Sequence, residues 1–148
     1  MTTPAFSRSF TLDARTGLIK RAPGAAALTA DAYIGDQFDQ GAATATDMVL
    51  VLNVEACKVS AGDELYTVRV IGSNVADRSD AEILATLELG DGGALPIGTV
   101  DTVAGDQRHV YFRTETNRTM FRYVDLHLDV AGTSPSITFN AYMSARLV

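Results

Sequence analysis

Tryptophan is absent from this chain of 148 residues, cysteine occurs once, and histidine and lysine occur twice each. The lone Cys57 can make no internal disulfide, so the fold must hold without a covalent staple. His109 and His127 leave little from which to build a histidine-rich metal centre. Basic residues are outnumbered, 12 Lys and Arg against 18 Asp and Glu, for a net charge of −6 and a pI near 4.7. Phosphate backbones are bound by clustered cations, so this balance argues against a nucleic-acid partner and mainly favours solubility.

Long hydrophobic runs are missing too. The opening MTTPAFSRSFTLD lacks the continuous apolar core of a signal peptide, and no stretch reaches the roughly 18 apolar residues of a membrane helix. The expectation is synthesis in the cytoplasm and no membrane partner. No G-x-S-x-G elbow, no Cys/His arrangement and no G-x-x-x-x-G-K-[ST] phosphate loop is present. Cys57 falls in a strand pattern and reads as a small packing residue. The carboxylates of GDGG and SNVADRSD have a structural reason to be in turns, and they lack the alternation of an EF-hand loop. Asn117 opens an N-x-T sequon, which matters only in a secretory pathway. No catalytic residue, cofactor or metal ligand is assigned.

What is present is period two. In the stretch from Thr119 to Val148, Met120, Val124, Leu126, Leu128 and Val130 alternate with Phe121, Tyr123, Asp125, His127 and Asp129. Ile137, Phe139, Ala141, Met143, Ala145 and Leu147 then alternate with polar neighbours. The spacing predicts a β-hairpin turning at the Gly/Ser/Pro segment between them. Arg122 interrupts the apolar row, which predicts a bulge or a paired charge. Similar alternation marks DMVLVLNVEACKV, LYTVRVIGS and RHVYFRTE, and AEILATLELGD reads as a strand despite its helix-favouring composition. The second face of DMVLVLNVEACKV is apolar only in its first half, so that half is expected to be covered.

The N-terminal third differs. Residues 1–22 carry Phe6, Phe10, Leu12, Leu18 and Ile19 among Ser, Thr and Arg and read as an extended arm, with TGLIKR as a short strand after a turn. From Pro23 to Thr46 an Ala/Gly/Thr/Asp-rich segment shows no periodicity, with Tyr33 and Phe38 as its anchors. The expected layout is an arm and irregular segment over residues 1–46 and a β-sandwich over 47–148, one structural domain overall. Seven to nine short strands with turns between them predict an all-β, antiparallel two-sheet sandwich, with a jelly roll the first topology and a Greek key the second.

Two side-chain sets stand out. Asp125, His127 and Asp129 share one strand face, and His109 could join them if the two strands pair; such a face suits either metal ligands or an ordinary polar surface. Phe121, Tyr123, Tyr111 and Tyr142 lie among Arg113, Arg122 and Arg146, the mixture that protein interfaces concentrate. Tyr111, Arg113, Phe121, Tyr123, Tyr142 and Arg146 are therefore candidates for an oligomer interface.

An apolar arm, then APGAAALTADAYIGDQFDQG, then an all-β domain entered at TDMVLVLNVEAC, running through ELYTVRVIGSNVADRSDAEILATLELGD and closing on SITFNAYMSARLV, resembles the capsid cement, or decoration, proteins of tailed bacteriophages. The resemblance covers nearly the whole chain and rests on layout. It implies a non-enzymatic jelly roll on the outer surface of the virion, forming homo-dimers or trimers and clamping neighbouring subunits of the major capsid protein. Together with the arm reading, this sets the expectation that the segment from Phe6 to Phe38 drapes over capsid proteins, with contacts through Phe6, Phe10, Leu12, Leu18, Tyr33 and Phe38, and that the sandwich stays folded when residues 1–38 are removed. The alternative is a carbohydrate- or receptor-binding sandwich of a head or tail fibre, although sugar sites usually include the missing Trp. A metal-dependent sandwich enzyme is a third option; the His-x-His motif of cupins is absent.

Overall fold

A computed structural model describes residues 15–97 and 100–145. Among them are ten strands and no helix. In chain order these are β1 (Ile19–Arg21), β2 (Ala32–Tyr33), β3 (Phe38–Thr44), β4 (Asp47–Cys57), β5 (Leu65–Ser73), β6 (Glu82–Gly90), β7 (Gln107–Arg113), β8 (Glu115–Thr116), β9 (Thr119–Ala131) and β10 (Ile137–Ala145). They form two antiparallel sheets. One has four strands in the order β1-β10-β4-β7; the other has six, in the order β2-β9-β5-β6, with β3 and β8 also paired to β9.

Both sheets turn one apolar row toward a common core, as alternation requires. Met48, Leu50, Leu52 and Val54 from β4, and Phe139, Ala141 and Met143 from β10, meet Tyr66, Val68 and Val70 from β5 and Val124, Leu126 and Leu128 from β9. Each of the larger side chains among them contributes about 1.5–3 kcal/mol on burial. The covered outer half of β4 is also as expected, since Val49 and Val51 are fully buried beside Tyr142. The stretch AEILATLELGD contains the strand β6, EILATLELG. Asn117 and Arg118 both have positive φ (48° and 67°), the geometry of a type I′ turn, and tie β8 to β9.

The closing pair of strands departs from the expected hairpin. β9 pairs with β2, β3, β5 and β8 in one sheet, while β10 pairs with β1 and β4 in the other. The segment between them arches across the core. An apolar row can face its partner beside it or opposite it, so alternation alone does not separate a hairpin from an arch. Tyr66 secures the crossing: its buried ring fills the core, and its hydroxyl donates to Lys58 O (2.7 Å) and accepts from Ser136 N (2.9 Å).

The segment from Pro23 to Thr46, expected to be irregular, contains β2, β3 and a bridge from Leu28 to Ile137. Its Ala/Gly composition hides this, because β9 and β10 supply the pairing partners that intrinsic propensity does not. Leu18, Ile34 and Phe38 lie in the core. Gly35, at φ +74°, lets the backbone run against Lys20, where a Cβ would strike the Lys20 carbonyl. Residues 15–46 are thus part of both sheets.

Candidate functional site

The outer face of the six-stranded sheet carries Asp125, His127 and Asp129, and their surroundings decide what they can do. Asp125 is only 1% exposed. The loop after β5 folds over it, so that Arg78 Nη2 donates to Asp125 Oδ1 (3.0 Å), while Gln37 Nε2 donates to Oδ2 (2.8 Å). That loop is held down by Asn74, whose amide donates to Met120 O and accepts from Arg122 N. Lys20 comes in from β1, 3% exposed, with Nζ donating to Asp36 O (2.7 Å) and Val124 O (3.2 Å). Burial lowers its pKa from 10.5 to about 8, against the raising influence of Asp125 and Asp36.

Further along the face, the Arg78 guanidinium lies over the Tyr33 ring at 4.0 Å, and Tyr33 meets His127 edge-on with centroids 4.7 Å apart. Asp129 is paired with Arg69 and lies 3.4 Å from His127 Nδ1. The carboxylates that could have held a metal are therefore spent on cations of this chain. Among the described residues no group of three or more His, Cys, Asp or Glu could hold a metal ion. His109 sits on β7 in the opposite sheet and does not approach His127. The network does structural work, fastening residues 20–37 and the 73–80 loop to β9.

Cys57 is half-buried, and its thiol is pushed up to about 11, first by burial and then by the charges of Glu64, Asp101 and Asp106. A thiol so raised is almost wholly protonated at neutral pH and is a poor nucleophile. Alkylation by iodoacetamide at pH 7.5 should run at least about 100-fold slower than for a free cysteine, and should accelerate as the pH approaches 11. A mass-spectrometric time course checks this.

The residues expected to contact partners are scattered. Phe121 is buried, with its ring against the spot where a Cβ on Gly72 would sit (2.8 Å), so it is body rather than interface. Leu18 and Phe38 are core, whereas Tyr33 is 42% exposed beneath Arg78. Tyr123 lies beside Arg122, which pairs with Asp39 through Nε (2.8 Å) and Nη2 (3.0 Å), the paired charge expected at the break in the apolar row. Tyr111 is half-exposed, and Arg113 pairs with Asp47 across the edge of the four-stranded sheet. Tyr111 and Tyr142 belong to one sheet and Tyr123 to the other, so they do not form one patch. Phe6, Phe10, Leu12 and Arg146 lie outside the described residues.

Two surface features escape strand-pattern reasoning. The loop from Asp91 to Asp106 displays Ile97 (100% exposed), Val100 (75%) and Val103 (54%). Aliphatic residues inside a Gly/Pro turn cluster are the signal that could have marked it. The second is an open groove of about 280 Å³ at the β1 edge, lined by Ile19, Arg21, Ala22, Pro23, Asn140 and Tyr142. A hydrogen-bonded row borders it, from Gln107 through Asn53 and Asn140 to Glu55, which caps Gly24 N.

No helix among the described residues is long and apolar enough to cross a membrane. Comparison with protein-family models, curated proteins and solved structures finds no match.

Proposed function

We propose that this chain is a non-enzymatic structural protein of a tailed-phage head, a jelly-roll body that decorates the outer capsid surface and clamps neighbouring major capsid subunits. One observation carries the reading: the root of the N-terminal segment is fixed between the two sheets. Arg15 lies over the Phe38 ring, Leu18 is in the core, Lys20 bonds to β9, and β1 pairs with β10. From Arg15 onward the segment is therefore fastened to the body at several points. Support for a jelly roll comes from the repeated crossing of the chain between sheets, at β1 to β2, β3 to β4, β4 to β5, β6 to β7, β7 to β8 and β9 to β10. Several such chains held on one homo-oligomer would act on the capsid with the avidity of linked contacts.

Removal of residues 1–14 is expected to abolish binding to expanded phage heads while circular dichroism keeps its β signature. Full decoration by the folded truncated protein would refute the proposal. A glycan array separates the alternative of a receptor-binding sandwich, since a decoration protein should give no signal on it.

A further inference from the structure

The segment from Arg15 to Thr44 is a strap laid along one side of the sandwich. Among the described residues its strands pair only with elements made late in the chain, β1 with β10 and both β2 and β3 with β9. Leu28 bridges to Ile137, Gln37 reaches Asp125 across 88 residues, and Arg122 holds Asp39 from 83 residues away. Leu18, Ile34 and Phe38 of the strap sink into the core. No disulfide secures it, since the single cysteine, Cys57, lies in β4.

One tight corner joins the strap to the body. β3 ends at Thr44 in the six-stranded sheet and β4 begins at Asp47 in the four-stranded one, so Ala45 and Thr46 alone make the passage. The local sequence from Ala42 to Thr46, AATAT, contains none of the Gly, Pro, Asn or Asp residues that favour turns, and threonine favours extended backbone. The bend is held from outside instead. Thr46 N donates to Thr114 Oγ1 (2.8 Å), Thr114 N donates to Thr46 O (3.0 Å), and Thr46 Oγ1 donates to Gln40 Oε1 (2.8 Å). Tertiary contacts thus impose a corner on a stretch whose own preference is to run straight from β3 into β4.

We infer that the strap is exchangeable between two copies of this chain: Ala45 and Thr46 straighten, β3 continues into β4, and the strap of each copy closes the sandwich of the other. The occupant is a second copy because the surface that receives the strap is already complementary to it. Every strand pairing and every buried side chain of the closed chain is regained in the exchanged pair, which is what makes such exchange a low-cost route to a dimer. Only the bend at the corner and the freedom lost on association distinguish the two forms. A strap tethered to its own body acts at an effective concentration of about millimolar, so exchange becomes appreciable when chains fold at a comparable concentration. The inference does not depend on the capsid reading, although it gives the homo-oligomer invoked there a geometry.

Tyr33 lies opposite His127 in the β2–β9 pair, which provides a direct test. Two full-length chains, one carrying Tyr33→Cys and the other His127→Cys, both with Cys57→Ala, are unfolded in urea, mixed in equal amounts, refolded at about 1 mM and oxidised. Both substituted positions lie on the outer face and retain solvent exposure, so the core is untouched. In the exchanged pair position 33 of one chain meets position 127 of the other. The 33–127 disulfide should therefore outnumber the 33–33 and 127–127 disulfides at least about tenfold by mass spectrometry, in a product of twice 15.7 kDa. A Gly-Ser-Gly insertion after Ala45 supplies the turn residues that the corner lacks and should suppress this cross-link. The unsubstituted chain refolded at the same concentration should give a dimer in sedimentation velocity. A 33–127 disulfide no more frequent than the symmetric ones, an insertion variant that cross-links as well as its parent, or a wholly monomeric unsubstituted chain would each overturn the proposal.

Discussion

A chain beginning at Asp39 will show no cooperative unfolding transition. Reading the N-terminal segment as an arm implies that residues 1–38 can be cut away from an intact sandwich, but the core says otherwise. The cut removes Leu18, Ile34 and Phe38, all at most 6% exposed, each contributing about 1.5–3 kcal/mol by transfer alone. It also strips β1 from β10 and β2 from β9, and it takes Lys20 and Gln37 away from the polar network around Asp125. Together the apolar losses reach about 5–9 kcal/mol, comparable with the entire stability of a typical domain, about 5–15 kcal/mol. Urea titration followed by circular dichroism would decide: a sigmoidal transition in the truncated chain contradicts this account. The single change Phe38→Ala should cost about 3–5 kcal/mol and leave a folded protein.

Asp125→Ala is the second large effect, expected at about 3–5 kcal/mol at pH 7. Asp125 is the carboxylate bonded to Arg78, and it lies close enough to raise the pKa of the buried Lys20; removing one member of a buried charged set leaves the others uncompensated. The defect should depend on pH in a defined direction. The folded pKa of Lys20 is lowered to about 8, so below 8 the folded state bears the cost of a buried ammonium, and wild-type stability gains from Lys20 as pH rises from about 8 to 10.5. Without Asp125 the folded pKa drops further. The difference between wild type and Asp125→Ala should therefore shrink as pH rises to 9, where Lys20 is mostly neutral in both folded proteins. Paired urea titrations at pH 7 and pH 9 measure it; a constant difference would mean that Lys20 does not feel Asp125.

Period two reveals the strands and their inward rows, because alternation records burial directly. Met48, Leu50 and Leu52 are legible for that reason, as are Val110 and Phe112 on β7 and the charge pairing of Arg122. Pairing partners are another matter. β9 and β10 look like a hairpin in sequence and lie in different sheets, since a row of apolar side chains does not say whether its mate lies beside it or across the core. β2 and β3 are invisible because Ala, Gly and Asp form those strands only where β9 presents a free edge. Asp125 alternates outward like Tyr123 and His127, yet it is buried under a loop whose sequence, SNVADRSD, reads only as turn residues. The aliphatic loop and the groove depend on which edges the strand order leaves open, and strand order is a property of the whole chain.

The pairing of β1 with β10 fixes when the protein can become itself. Ile19 sits opposite Tyr142, and Lys20 bonds to the carbonyl of Val124, 104 residues away. A ribosome adding about 5–20 residues per second releases the first of these partners on the order of ten seconds before the last. During that interval Leu18, Ile34 and Phe38 have no core to enter. Closure of the four-stranded sheet waits for β10 to emerge, so β1 is made well before the partner that gives it a place.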